Sequence, residues 1–272
     1  MPTIPVLCYH SLNIDNNEYQ GNDHVAFAQD LRLIHQLGRR IIPLQWLVDW
    51  LRGRRPDSDV AGGVVMSMDD GSWFDFHDMP HPSCGQQRGM LGILRDFQQE
   101  VGTAQPHLHA TSFVIASPQA REELDQTCLI KAGWWGDDWW QAANASGLMT
   151  VENHSWDHLH PTLQQVAHSR QAKSDFSQVD NYQDAKQQIA VASQYIQQRC
   201  GTAPRIFAYP WGHTSDYLLE EYLPYAGGHG LEAAVTTEPR VCHRQDNPWR
   251  IPRFVCGCDW KTAEDMKSLL SQ

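Results

Sequence analysis

Short apolar runs recur along the chain, separated by longer stretches in which apolar positions return every three or four residues. The runs read as buried strands and the longer stretches as amphipathic helices. Ile4–His10 is the first run and ends in a histidine. From His24 to Gly38, Phe27, Leu31, Ile34 and Leu37 recur at spacings of four, three and three, which predicts a helix closed by Gly38. Ile41–Ile42 reads as a strand end, Leu44–Leu51 as a second helix stopped by Gly53 and Pro56, and Gly62–Met68 as the next strand.

From Ser72 to Gly89 the sequence turns to His, Asp, Pro, Gly and aromatics, which predicts a long irregular insertion at about 72–89 facing substrate. Beyond it the pattern predicts a helix over 90–101, a strand over Ala110–Ile115, a Trp-rich helix over Trp134–Ser146 and a strand from Met149 towards His154. Residues 161–179 are mostly polar. Tyr182–Cys200 then places Ile189, Ala192, Tyr195 and Ile196 on one side of a long helix, and Gly201 follows its end. Arg205–Gly212 is an apolar strand reaching a turn, residues 215–226 are helical, Ala233–Thr236 and Trp249–Val255 are strands, and a C-terminal helix covers about 262–270. Strands alternating with helices from end to end predict an α/β fold with a parallel sheet or barrel, and the absence of any repeat makes residues 1–272 one domain.

Bulk properties narrow the function. The formal charge of −11, from 21 basic and 32 acidic residues, disfavours nucleic acid and anionic membrane as partners. No run of about 18 apolar residues and no basic leader is visible, so the expectation is a cytoplasmic protein without membrane insertion. Seven cysteines with no framework spacing predict free, mostly buried thiols, Cys256-x-Cys258 included. Eleven tryptophans are a surplus of flat faces that suits sugar rings.

Two of the apolar runs end in chemistry. Met68-Asp69-Asp70-Gly71 delivers two adjacent carboxylates, which leave the backbone in different directions and can do different work. His154-Ser155-Trp156-Asp157-His158 delivers two imidazoles four residues apart. Asp70, His154 and His158 make the O,N,N donor set of a catalytic zinc that keeps one position for water. Asp69 is then free to act as base towards that water. Asp157 and His160 compete for these roles on spacing alone. Tyr209-Pro210-Trp211-Gly212 is a turn whose N–H groups suit an oxyanion, and His10 is the candidate acid.

In motif order the chain resembles the polysaccharide deacetylases of carbohydrate esterase family 4. Ser67-Met68-Asp69-Asp70-Gly71 and His154-Ser155-Trp156-Asp157-His158 match the first two motifs. Pro5-Val6-Leu7-Cys8-Tyr9-His10 is similar to the acid-bearing strand of the subgroup that deacetylates poly-N-acetylglucosamine. The third motif departs: Ala208 stands where many members have the arginine that orients the base, and Arg250 or Arg253 is left to replace it. The resemblance implies a distorted (β/α) barrel of about seven strands, a divalent metal with zinc the foremost candidate, and N-deacetylation of a carbohydrate. It also implies Trp211 N–H as oxyanion donor, with Tyr209, Trp73, Trp211 and Trp260 along the substrate cleft. A small-molecule amidohydrolase and a non-catalytic carbohydrate-binding protein are the rival readings.

Overall fold

The computed structural model describes residues 2–129 and 131–271. Seven strands lie side by side in one curled sheet, every pairing parallel. In chain order they are β1 (Val6–His10), β3 (Gly63–Asp69), β6 (Ala110–Val114), β7 (Met149–Asn153), β8 (Ile206–Ala208), β9 (Ala233–Val235) and β10 (Phe254–Val255), with the short β2 (Arg40–Ile41) beside β3 and a hairpin of β4 (Met79–His81) and β5 (Gly85–Gln87) apart from the sheet. The spatial order is β10-β1-β3-β6-β7-β8-β9. A single bridge from Val235 to Ile251 carries the last strand round towards the first, so the arc is that of a distorted (β/α) barrel.

Alternation along the strands sorts side chains into two layers. Leu7 and Tyr9 of β1 and Val64, Met66 and Met68 of β3 face outward and pack under the helices Asp23–Gln36 and Met90–Val101. The inward series runs in register across the same two strands, Val6 beside Val65, Cys8 beside Ser67 and His10 beside Asp69. The interior therefore grades from aliphatic at the N-terminal ends of the strands to ionisable at their C-terminal ends, the face where parallel barrels carry their sites.

Most predicted elements lie where the pattern put them, and the exceptions have physical causes. The first helix covers Asp23–Gln36, so Leu37 caps it and stands exposed. Of the Trp-rich stretch only Trp140–Ala145 is helical. Gly133 and Trp134 instead donate their N–H groups to Asp125, and Trp135 packs buried in irregular chain. A helix over Pro118–Thr127 was not signalled by hydrophobic spacing. Its signature is Ser117, whose hydroxyl caps Ala120 N, followed by Pro118 in the first turn. Tyr182–Cys200 is one helix with a wider π turn over Lys186–Val191. Segment 72–89 folds back as a short helical turn and the β4–β5 hairpin, with Phe74, Met79 and Cys84 packed on Ile14. Among the described residues no helix is long and apolar enough to cross a membrane.

Candidate metal centre and active site

Asp70, His154 and His158 converge at the C-terminal ends of β3 and β7. Asp70 Oδ1 lies 3.6 Å from His154 Nε2 and 3.8 Å from His158 Nε2. Three donors on a tetrahedral ion with bonds of about 2.0–2.1 Å sit about 3.4 Å apart, so the group fits a cation with small adjustments. The imidazoles are prepared for it. His154 Nδ1 is 2.9 Å from the Ala208 carbonyl, which only accepts, so Nδ1 carries the proton and Nε2 offers its lone pair. Burial, then the neighbouring His154 and His160, hold His158 well below the usual imidazole range, and a neutral ring is the form that ligates.

The loops that deliver these donors are held in uncommon backbone conformations. Asp70 (φ 76°), Ser155 (72°), His158 (62°), Leu159 (44°) and Trp211 (61°) all have positive φ without being glycine. Strain of this kind persists where surrounding bonds over-determine it. Here Asn153 Oδ1 accepts from Ser155 N, Ser155 Oγ from His158 N, and Asp157 Oδ1 from Leu159 N and from Gln188 on the π turn. Asp157 is thus committed to holding the loop and is not among the converging donors. At Gly71 (φ 71°) an added Cβ would lie 2.4 Å from Val114 Cγ1 and 2.9 Å from its Cα, so only glycine lets the chain turn there.

Asp69 is buried beside this group, with Oδ2 3.9 Å from His154 Nε2. Arg253 Nη1 and Nη2 donate to Asp69 Oδ1 and Oδ2, each at 2.7 Å. Burial pushes the Asp69 carboxyl up, but the Arg253 guanidinium outweighs it and the group is held well below the usual carboxylate range. Arg253 is itself fixed, donating Nε to Thr236 O at 2.9 Å and lying over the Phe113 ring. It comes from segment 251–255, the seam that closes the arc between β9 and β1. Arg250 pairs with Glu238 on the surface instead. Cys8, His10 and Asp69 also bring donor atoms within 4.8 Å of one another, but Arg253 already engages both Asp69 oxygens, which disfavours a second cation there.

These groups open on a cavity of about 480 Å³ lined by His10, Asp69, Asp70, His154, His158, His160, Trp135 and Trp211 among others. A larger cavity of about 600 Å³, lined by Arg121 and Asp137, contains none of the converging donors. His10 reaches the cleft from the end of β1, with its backbone N–H on Asp23 Oδ2 at 2.6 Å. Trp211 stands on the rim, its ring 4.7 Å from that of His158.

Other expected cleft residues are elsewhere. Tyr209 is fully buried and donates its hydroxyl to Trp249 O, and Trp260 is fully buried and donates its indole N–H to Asp30. Trp73 does not line the cavity; its N–H is tied to Asp138. No residue of 72–89 lines the cavity, so the loop expected to face substrate packs to the side. Trp135, which the sequence pattern placed only within a helix, also lines the cavity, donating its N–H to Asp70 O at 3.1 Å. No spacing signal distinguished it from the other tryptophans.

Residues 104–226 match the family model described as polysaccharide deacetylase. No curated protein matches the sequence. Among solved structures the fold is similar to IcaB from Ammonifex degensii (20% identity, TM-score 0.67, 100% of this chain and 97% of that one). It is also similar to the Streptococcus pyogenes deacetylase PplD in complex with acetate (16%, 0.66, 99% of each). A third is a de-N-acetylase from Aggregatibacter actinomycetemcomitans (15%, 0.64, 97% and 99%). The family match covers residues 104–226, and over nearly the whole chain the fold is shared with these deacetylases.

Proposed function

We propose that the protein is a metal-dependent hydrolase that removes N-acetyl groups from a carbohydrate. The observation that carries this reading is the adjacency of two differently committed carboxylates: Asp70 among imidazole donors, and Asp69 on a guanidinium clamp. Asp70, His154 and His158 would hold a divalent ion, zinc by its donor set, which when bound supplies Lewis acidity at its open position. Asp69 takes the proton from the water that adds to the acetyl carbonyl. Trp211 N–H is assigned to the developing oxyanion, and His10 protonates the amine as the C–N bond breaks, leaving acetate and a free amino sugar.

A polymer is favoured over a small molecule. The cleft is not roofed by residues 72–89, and Trp211 presents an exposed ring on its rim. The strand Pro5-Val6-Leu7-Cys8-Tyr9-His10 further favours an N-acetylglucosamine polymer. The test is acetate release by zinc-reconstituted protein from poly-N-acetylglucosamine, chitin oligomers, peptidoglycan fragments and acetylxylan, with Asp69→Asn as control. Release from an N-acetylated glycan, lost in the variant at unchanged metal content, is expected. Glycan binding with no acetate released from any of them would instead establish a non-catalytic carbohydrate-binding protein.

A further inference from the structure

The π turn Lys186–Val191 interrupts the helix Tyr182–Cys200, and the loop that carries the two imidazoles is tied to it at two points. Gln188, fully buried, donates Nε2 to Asp157 Oδ1 at 2.8 Å and to Ala167 O at 3.0 Å, while its Oε1 accepts from Asp157 N at 3.4 Å. Asn153, also fully buried, donates Nδ2 to Ile189 O at 2.9 Å and to Ser193 Oγ at 2.8 Å, and its Oδ1 accepts from Ser155 N at 2.7 Å. Both carboxamide orientations are fixed, because each nitrogen meets a carbonyl or carboxylate and each oxygen meets a backbone N–H. Asn153 and Asp157 directly precede His154 and His158. The width of the turn matters to this grip. Residues five apart on a regular α-helix point about 140° from one another, and the i→i+5 pairing of a π turn brings them towards one face. Gln188 and Ser193 are five apart, and both reach the same loop, one at Asp157 and the other at Asn153.

We infer that the π turn positions His154 and His158, and that Gln188 is its positioning residue. The loop needs such a hold, since Ser155, His158 and Leu159 all have positive φ. Asp157 passes the hold on: the oxygen that takes the Gln188 amide also accepts Leu159 N, and the other accepts Ala167 N. Gln188 does not line the cleft and reaches the imidazoles only through Asp157. Outer partners of this kind set the direction of a ligand and with it the affinity for the ion. That consequence rests on the reading of Asp70, His154 and His158 as metal donors, whereas the hold on the loop does not.

Gln188→Met, which keeps the size of the side chain and removes the carboxamide, tests this beside Asp157→Ala and the double variant. Zinc affinity of the folded protein, from chelator competition, should fall about 10-fold in Gln188→Met, the low end for a lost outer partner. The double variant should bind zinc no more weakly than Asp157→Ala alone, because the two residues act in series. Hydrogen exchange of the metal-free protein, read on peptides covering 153–159, should quicken in Gln188→Met while peptides of β1 and β3 keep their rates. Trp260→Ala, destabilised away from the loop, should keep wild-type zinc affinity. Wild-type affinity and exchange in Gln188→Met, losses that multiply in the double variant, or an equal loss of affinity in Trp260→Ala would overturn the inference. A wild-type protein that takes up no zinc would count against the deacetylase reading. The hydrogen-exchange readout needs no metal and would then decide by itself whether Gln188 holds the loop.

Discussion

Arg253 and Asp69, 184 residues apart in sequence, meet through two parallel hydrogen bonds of 2.7 Å. Ala208 stands before the Pro210-Trp211-Gly212 turn, and the guanidinium beside Asp69 comes from the closing seam of the barrel. Lysine at 253 would keep the charge but cannot grip both oxygens at once. Arg253→Lys is therefore expected to lower kcat about 10- to 100-fold, the usual range for a lost outer partner, with metal content unchanged. Arg253→Met would leave a buried carboxylate unpaired and cost about 3–5 kcal/mol of stability. Steady-state kinetics with metal analysis checks the first. Loss of metal at normal kcat per metal-loaded site would show that Arg253 serves the ligand Asp70 and not Asp69.

Gly71 sets the direction in which Asp70 leaves β3. Its φ of 71°, and the 2.9 Å that would separate an alanine Cβ from the backbone Cα of Val114, leave no room for a methyl group. Gly71→Ala is expected to cost more than about 1 kcal/mol and to weaken metal binding, because the turn must shift the ligand to accommodate the methyl. Val114→Ala should restore little, since the backbone contact and the φ remain. Full rescue of metal affinity in the double variant would show that only side-chain crowding matters at this turn.

The strands and the convergence of Asp70, His154 and His158 were legible because each signal is local. An apolar run that stops at Asp-Asp-Gly, or at His-x-x-x-His, carries its own boundary and its own chemistry. Arg253 was visible only as one of two candidates, because its partner is chosen by closure of the arc, a long-range event with no local pattern. Trp73 and Trp260 were misplaced for the same reason. Trp260 and Trp211 look alike in sequence, yet one is sealed beneath β1 and the other stands on the rim. The helix Pro118–Thr127 escaped because its buried apolar face is only Ala120 and Leu124, too sparse for a period to show.

Trp260 packs edge-on to Tyr9, ring centroids 5.5 Å apart, and shares Asp30 with the hydroxyls of Tyr9 and Tyr19. Trp260→Ala is expected to destabilise the fold by about 3–5 kcal/mol, the cost of emptying a large buried aromatic site. Thermal or urea unfolding reads this directly. A variant of wild-type stability with raised KM alone would return Trp260 to the substrate cleft.

Glu152 lies buried on β7 with Oε2 accepting from the N–H groups of Arg205 and Ile206. Burial pushes its carboxyl from the usual 4.5 up to about 7, the two N–H donors opposing the shift only in part. Between these values the folded state holds the proton and the unfolded chain does not, so stability falls as pH rises. The shift corresponds to about 3 kcal/mol, fully present below pH 4.5 and gone once pH has risen through 7. Asp75, also pushed up to about 7 by burial, contributes with the same sign, so the informative quantity is the difference between wild type and Glu152→Gln. Glutamine keeps an acceptor for both N–H groups and does not titrate. Urea unfolding across this window should show wild type losing stability relative to the variant up to pH 7 and running parallel to it above. Parallel curves throughout would mean that Glu152 is already ionised in the folded protein at pH 4.5.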